Sequence, residues 1–351
     1  MRMQIPIENI YYLLCYAWDK LDERDRVSVS IDDSTELLDL FAKILINATR
    51  ILIKRGLDKN YVAQTVELAG IKGKLEIGQT LKSNLQLKQK TVCSFDEFSS
   101  DVLTNQILAT TLHRLIKTKN LDSELKGELR KLLRMFANVT IIALKPSVFT
   151  QVRLHRNNKF YGFLINVCQL IYENSQPAET AGEWNFTDFT RDERKMNQLF
   201  EAFIRNFYKI EQNIYRVRSE IIKWDFEDSD FQNSQYLPQM KTDITLENKD
   251  SKIIIDAKYY KETMAINYGQ EKVKSANLYQ LFSYLLNQQT EEEKTIAATG
   301  ILLYPTIENE YSLKFKYQSH NIHIQTINLN IGWKEIERRL KRIVFEQKPL
   351  L

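Results

Sequence analysis

Hydrophobic periodicity divides the chain into stretches with a helical repeat and stretches that alternate. Ile5–Trp18 reads I-P-I-E-N-I-Y-Y-L-L-C-Y-A-W, a dense apolar-aromatic run opened by a proline, and predicts a helix. Thr35–Arg55 predicts a second, with Leu37, Leu38, Leu40, Phe41, Ile44, Leu45 and Ile46 at helical spacing and Lys54-Arg55-Gly56 as its stop. From Tyr61 to Phe95 the pattern is strand-like, broken at Gly70, Gly73 and Gly78. Helical spacing returns over about Asp101–Ala137, where basic residues from Arg114 to Arg134 alternate with acids as on a solvated face. Phe160–Tyr172 and Arg194–Ile210 predict helices, separated by a polar linker, Ser175–Asn185, that contains Pro177 and Gly182. Beyond them come strand-like segments near Ile214–Trp224, a hairpin at Asp243–Lys258 and a helix over about Glu271–Asn287. An apolar strand, Ala297–Tyr304, is stopped by Pro305, and a hairpin-like Tyr311–Leu329 leads to a basic amphipathic helix, Trp333–Gln347. A mixed α/β (α+β) fold without internal repeats is expected.

At 351 residues the chain has room for two domains. Pro146 and the polar run Arg156-Asn157-Asn158-Lys159 mark the junction, which predicts domains 1–150 and 151–351. Apolar content of 43% and charged content of 27% are those of a soluble globular protein, and a net charge of +4 permits nucleic-acid contact without requiring it. The three cysteines, Cys15, Cys93 and Cys168, are far apart and odd in number, which argues against a disulfide framework and suits a reducing cytoplasm. The N-terminus lacks the apolar core of a signal peptide, and no run of about 18 apolar residues predicts a membrane span.

Some chemistries are missing. No G-x-x-x-x-G-K-[ST] phosphate loop occurs; Gly70-Ile71-Lys72-Gly73-Lys74 has the wrong spacing, so nucleotide hydrolysis by the chain itself is not expected. No G-x-S-x-G elbow or Cys/His nucleophile arrangement appears. His320-Asn321-Ile322-His323 reads as strand packing rather than a zinc pair.

The candidate chemistry lies in D-I-T-L-E-N-K-D-S-K-I-I-I-D-A-K, Asp243–Lys258. With Lys249 and Asp250 as the loop of the hairpin, facing residues have numbers that sum to 499, and Asp243 stands opposite Asp256. Opposed residues have Cβ atoms about 4.5–5.5 Å apart on one face, and Lys258, two residues beyond Asp256, shares that face. A one-residue slip would turn Asp243 away. The bland alternative is a surface hairpin with solvated charges. Against it, an aspartate and a lysine closing an apolar strand need partners to offset lost solvation. One or two carboxylates, with waters and substrate phosphate, typically hold Mg²⁺, and a lysine beside them can orient water or stabilise developing charge.

Two helices carry polar residues along faces that otherwise look apolar. Glu201 sits within Leu199-Phe200-Glu201-Ala202-Phe203, and Asn277, Gln280 and Tyr284 share one face of the later helix. In order, Glu201, Asp243, Asp256-Ala257-Lys258 and Gln280-x-x-x-Tyr284 resemble the PD-(D/E)xK nuclease superfamily, the Gln-x-x-x-Tyr helix being similar to its RecB-like branch. Thr242 stands where the superfamily's name has proline.

Six further segments look like the McrC family: I-P-I-E-N-I-Y-Y-L-L-C-Y-A-W, I-K-G-K-L at Ile71–Leu75, L-P-Q-M-K-T-D-I at Leu237–Ile244, D-A-K-Y-Y at Asp256–Tyr260, N-L-Y-Q-L at Asn277–Leu281 and L-L-Y-P at Leu302–Pro305. This resemblance implies the nuclease subunit of a methylcytosine-directed restriction system, with an AAA+ GTPase ring, McrB, as partner and double-stranded DNA as substrate. It implies that residues 1–150 bind the ring and stimulate GTP hydrolysis, and that residues 151–351 form the Mg²⁺-dependent endonuclease. The implied metal ligands are Asp243, Asp256 and the Ala257 carbonyl. Lys258 would orient or activate water, Glu201 would add a ligand or bind a metal-bound water, and Gln280 and Tyr284 would position the strand or Lys258. Arg50, Arg55, Lys72, Lys74 and Lys82 are candidates to act on the GTPase in trans. Two alternatives stay open: an adaptor and GTPase activator whose nuclease site has decayed, and a free-standing repair nuclease.

Overall fold

The computed structural model describes residues 5–19, 36–156, 158–226, 234–260, 265–267, 270–307 and 310–345. It forms two compact units, one of Glu36–Thr187 and one that joins Met1–Thr35 to Asp188–Leu351. The units therefore differ from the expected domains 1–150 and 151–351. Helix α1 (Ile7–Ala17) is apolar and aromatic around most of its surface, and its partners lie in the C-terminal part of the chain. At the other boundary, Pro146 opens a short helix inside the first unit, and Asn158 donates to Asp58 Oδ2 there at 3.0 Å. Asn157 of the expected junction lies outside the described residues.

The unit Glu36–Thr187 combines helices α2 (Leu37–Arg55), α3 (Ile77–Lys82), α4 (Leu103–Ile116), α5 (Ser123–Leu133), α6 (Pro146–Thr150) and α7 (Tyr161–Glu173) with a three-stranded antiparallel ribbon. In the ribbon, β3 (Thr91–Ser99) pairs along its length with β1 (Asn60–Leu68) and briefly with β2 (Lys74–Leu75). The expected strand region Tyr61–Phe95 is thus interrupted by α3. The expected helix Asp101–Ala137 is two helices, because Asp122 caps the second by accepting from Glu124 N and Leu125 N at 2.9 and 3.0 Å. The expected linker Ser175–Asn185 is instead a hairpin of β4 (Ser175–Pro177) and β5 (Trp184–Phe186). Its Trp184 ring lies 3.8 Å from the buried Arg114 guanidinium, so an aromatic–cation contact holds down a segment whose composition reads as loop.

The second unit is built around a six-stranded mixed sheet. Helix α8 (Glu193–Ile210) precedes β6 (Arg216–Arg218), the two-residue strands β7 (Ile221–Ile222) and β8 (Met240–Lys241), β9 (Ile244–Glu247) and β10 (Lys252–Ala257). The small pair β11 (Ala265–Asn267) and β12 (Gln270–Lys272) follows, so the expected helix over Glu271–Asn287 starts later, as α9 (Ser275–Asn287). Then come α10 (Glu293–Ile296), β13 (Thr299–Thr306), β14 (Ser312–Tyr317), β15 (His320–Asn328) and α11 (Trp333–Phe345); Gln347, the expected end of α11, lies outside the described residues. The sheet order is β14-β15-β13-β10-β9-β6, with β10, β13 and β15 parallel to one another. Among the described residues no helix is long and apolar enough to cross a membrane.

Burial explains the two central strands. Every residue of β10 and β13 is buried, as expected for parallel strands covered on both faces. On one face Ile254, Leu302, Ile322 and Ile324 pack with Leu281, Tyr284 and Leu285 of α9. Helix α8, which also packs against β6, β9 and β10, buries Met196, Leu199, Phe200, Phe203, Ile204, Phe207 and Tyr208, the three-and-four spacing of an amphipathic helix. Asp192 caps it, accepting from Arg194 N and Lys195 N at 3.0 and 3.1 Å. Strand β13 runs through Pro305 rather than stopping at it. Leu303 O accepts from Lys258 N, so by alternation Pro305 also faces the β10 side, where β10 has already ended and no ladder donor is missed.

Candidate functional site

The site is made by the β9–β10 hairpin. Its turn is an Asx turn: Asn248 Oδ1 accepts from Asp250 N and Ser251 N at 2.9 and 2.8 Å. The ladder pairs Lys252 with Glu247, Ile253 with Leu246, Ile254 with Thr245 and Ile255 with Ile244, each summing to 499 as expected. The ladder stops there, and Asp243 is the next residue on one side, Asp256 on the other.

Asp243, Asp256 and Lys258 come together beyond the end of the ladder. Lys258 Nζ lies 3.2 Å from Asp243 Oδ2 and 2.9 Å from Asp256 Oδ1. Asp243 Oδ2 also accepts from Ala257 N at 3.2 Å, taking the role a strand partner would have played. Ala257 N–H and C=O lie on the same edge of the strand, so the Ala257 carbonyl faces the Asp243 side. Asp256 is fully buried; Lys258 Nζ meets its Oδ1 as an ion pair off the ideal hydrogen-bond line, and its Oδ2 has no described donor. Burial pushes its carboxyl up to about 7; Lys258 opposes that rise and Asp243 adds to it. Burial pulls Lys258 down, but Asp256 and Asp243 together outweigh it and hold the ammonium above the usual lysine range.

The flanking helices supply the other expected residues. Glu201 of α8 is half-buried; burial and Asp243 raise its carboxyl, against the attraction of Lys258 and Arg205. Gln280 Nε2 of α9 donates to Tyr284 Oη at 2.6 Å, and Tyr284 Oη donates to Lys241 O at 2.9 Å, two residues before Asp243. Gln280 and Tyr284 therefore grip the strand leading to Asp243, while the described partners of Lys258 are the two aspartates.

With this geometry in view, comparison with known proteins is decisive for the family. The model of the McrBC 5-methylcytosine restriction system component matches residues 8–305. A curated relative from Escherichia coli K12, the type IV methyl-directed restriction enzyme EcoKMcrBC, is 34% identical over 342 residues, covering 97% of this chain and 98% of the relative. The chain belongs to the McrBC 5-methylcytosine restriction system component family. A solved structure, the refined half-complex from a tetradecameric assembly of Thermococcus gammatolerans McrB AAA+ hexamers with bound McrC, aligns with TM-score 0.57 and 17% identity. That alignment covers 97% of this chain and 76% of the other, and at such identity it speaks for the fold.

In this McrBC-family chain the donor set at the hairpin suits a hard divalent cation. Among the described residues no three His, Cys, Asp or Glu side chains form a ready cage. What the hairpin offers is two carboxylates and a backbone carbonyl, with Asp256 buried and short of donors, which matches Mg²⁺ and its preference for few protein oxygens plus waters.

Sequence reasoning missed Asn197 and gave Asn277 no role of its own. Asn197 of α8 accepts from Tyr259 N at 2.7 Å and donates to Glu201 Oε1. Asn277, seen only as part of a polar stripe, accepts from Tyr260 Oη at 3.2 Å and donates to Tyr304 Oη at 3.0 Å. The signal for Asn197 was its spacing, four residues before Glu201 on the same helix face.

Proposed function

We propose that this chain is the DNA-cleaving subunit of a GTP-dependent, modification-dependent restriction endonuclease, and that Asp243, Asp256 and Lys258 form its hydrolytic centre. The reading rests on one observation: a buried aspartate without aligned donors, a second aspartate and a lysine converge within 3.2 Å at the open end of a hairpin. Asp243, Asp256 and the Ala257 carbonyl would hold Mg²⁺, which when bound supplies Lewis-acid stabilisation of charge on the phosphate. Lys258, kept protonated by the two carboxylates, acts as a donor: it orients the attacking water and stabilises the pentavalent phosphorus. Water adds to phosphorus and gives up a proton, the bond to the leaving sugar oxygen breaks, and that oxygen takes up a proton in exchange. Glu201 adds a carboxylate to the hydration shell of the site, and Gln280 and Tyr284 hold the approach to Asp243 through Lys241.

The partner in this reading is an McrB-like AAA+ GTPase ring, as in the solved assembly to which the fold is similar. Recognition of methylated DNA belongs with that partner. In this reading GTPase stimulation is the task of the unit Glu36–Thr187, which holds most of the N-terminal region expected to meet the partner; α1 belongs to the other unit. Within it, Arg50 is paired with Glu128 at 3.0 Å, Arg55 lies over Phe160, Lys72 lies over Phe95 and Lys74 is paired with Glu76 at 3.2 Å; Lys72, Lys74 and Lys82 sit on or beside the β1–β3 ribbon.

In the presence of the partner, GTP and Mg²⁺, Asp243→Ala, Asp256→Ala and Lys258→Ala should each lower cleavage of methylated DNA by at least about 100-fold. Each should leave GTPase stimulation intact. Wild-type cleavage by any of the three would sink the assignment. Stimulation without cleavage by the wild-type chain would favour the adaptor reading, and partner-independent cleavage the repair-nuclease reading.

A further inference from the structure

Resting on the proposed hydrolytic centre, we infer that Asn197 is a positioning residue that locks the Asp256-Ala257-Lys258 segment and Glu201 into one unit. As the chain leaves the sheet, each of its backbone amides needs an acceptor. Ala257 N donates to Asp243 Oδ2 at 3.2 Å, and Lys258 N donates to Leu303 O at 3.0 Å. Tyr259 N is the next donor. By alternation it faces the β9 side of β10, beyond the last β9 pair, Ile244 with Ile255. Among the described residues its acceptor there is a side chain, Asn197 Oδ1, at 2.7 Å.

The amide group of Asn197 can lie only one way round. Its oxygen meets an N–H and its nitrogen meets the Glu201 carboxylate; a flip would set oxygen against oxygen and nitrogen against N–H. Both ends of the side chain are thus used by groups of the site. The Asn197 contact fixes the peptide that follows Lys258, and so restrains both the ammonium and the Ala257 carbonyl. The contact to Glu201 holds the carboxylate toward the same cluster. Asn197 itself touches neither Asp243 nor Asp256 in any described bond, so it acts through Lys258, Ala257 and Glu201.

The test uses the full chain with its partner, and compares Asn197→Ala, Asn197→Leu and Asp256→Ala with wild type. Alanine favours the helix, and leucine keeps the branched outline of asparagine, though bulkier, while removing both hydrogen bonds, so folding of either suffices. The expected result is a drop in kcat of about 10–100-fold, the usual effect of losing an outer support of a metal site. The Mg²⁺ concentration for half-maximal rate should rise, while the DNA concentration for half-maximal rate and the GTPase stimulation stay at wild-type values. Calorimetric titration of the isolated chain with Mn²⁺ should show weakened binding. Wild-type kcat and Mg²⁺ dependence in a folded Asn197 variant would overturn the inference, as would a loss that tracks only lower thermal stability. If Asp256→Ala cleaves normally, the hydrolytic centre itself is wrong; if Asp256→Ala is inactive and the Asn197 variants are normal, only the role of Asn197 fails.

Discussion

Asp256 sets charge against burial: it is a carboxylate with no exposure whose described ion-pair partner is the lysine two residues on. Its carboxyl is raised to about 7 in the folded chain, above the ordinary value of about 4 that it regains on unfolding. The folded state therefore binds the extra proton between those values, and stability falls as pH rises from about 4 to about 7. Above that window the full penalty is present, at most about 4 kcal/mol for a carboxyl held near 7 in place of its ordinary value. Asp256→Asn removes the penalty. In metal-free buffer its melting temperature should match wild type near pH 4.5 and exceed it by several degrees above pH 7.5. Added Mg²⁺ should stabilise wild type and leave Asp256→Asn unmoved. A difference that is flat across pH would show that burial does not control this carboxyl.

At the scale of elements, the hairpin was legible because its information is local. Asn248 sets the Asx turn, the turn sets the sum of 499, and the sum brings Asp243 to Asp256. Sheet order was not legible, since β13 and β15 join β10 through parallel pairing across long connections and no local residue encodes which strands become neighbours. The β4–β5 hairpin was hidden for a similar reason: Trp184 is anchored by Arg114, some seventy residues earlier in the chain. The I-K-G-K-L segment was recognised by resemblance, and its glycine now has a physical role. Gly73 has φ of +70°, and a Cβ there would lie 2.6 Å from Ser94 O and 2.7 Å from Phe95 Cβ. Neither neighbour is the flexible end of a side chain, so the β2–β3 pairing must open to admit it. Gly73→Ala should destabilise the ribbon by about 1–3 kcal/mol and weaken GTPase stimulation. Partner-dependent cleavage would fall with stimulation, whereas the Mn²⁺ affinity of the isolated chain should not change. Unaltered stimulation would remove the ribbon from the partner interface.

For the whole molecule, the unexpected arrangement is that the chain begins and ends in the same unit. Tyr12 stacks on Trp333 at 4.6 Å, and Tyr16 lies 5.7, 5.4 and 5.4 Å from Phe203, Phe207 and Trp333. Asn9 donates to Leu329 O and Ile331 O at 2.8 and 2.9 Å, and Asn206 donates to Tyr16 O and Ala17 O at 3.0 Å. Helix α1 is thereby a wall of the unit that holds α8, and α8 carries Glu201 and Asn197. Aromatic periodicity showed that α1 needed a partner, but the partner lies some two hundred residues away, so reading along the chain assigned it to its sequence neighbours. The two assignments make opposite predictions for truncation. If α1 served the partner-binding region, removing residues 1–35 would abolish GTPase stimulation first. The packing predicts the reverse: a chain starting at Glu36 exposes Phe203, Phe207 and Trp333, and should lose several kcal/mol from the unit that carries the proposed hydrolytic centre. Mn²⁺ binding and DNA cleavage should therefore fail on mild heating while the fragment 36–187 still raises the GTPase rate of the partner. A folded fragment 36–187 that leaves the rate unchanged would return that role to residues outside this unit.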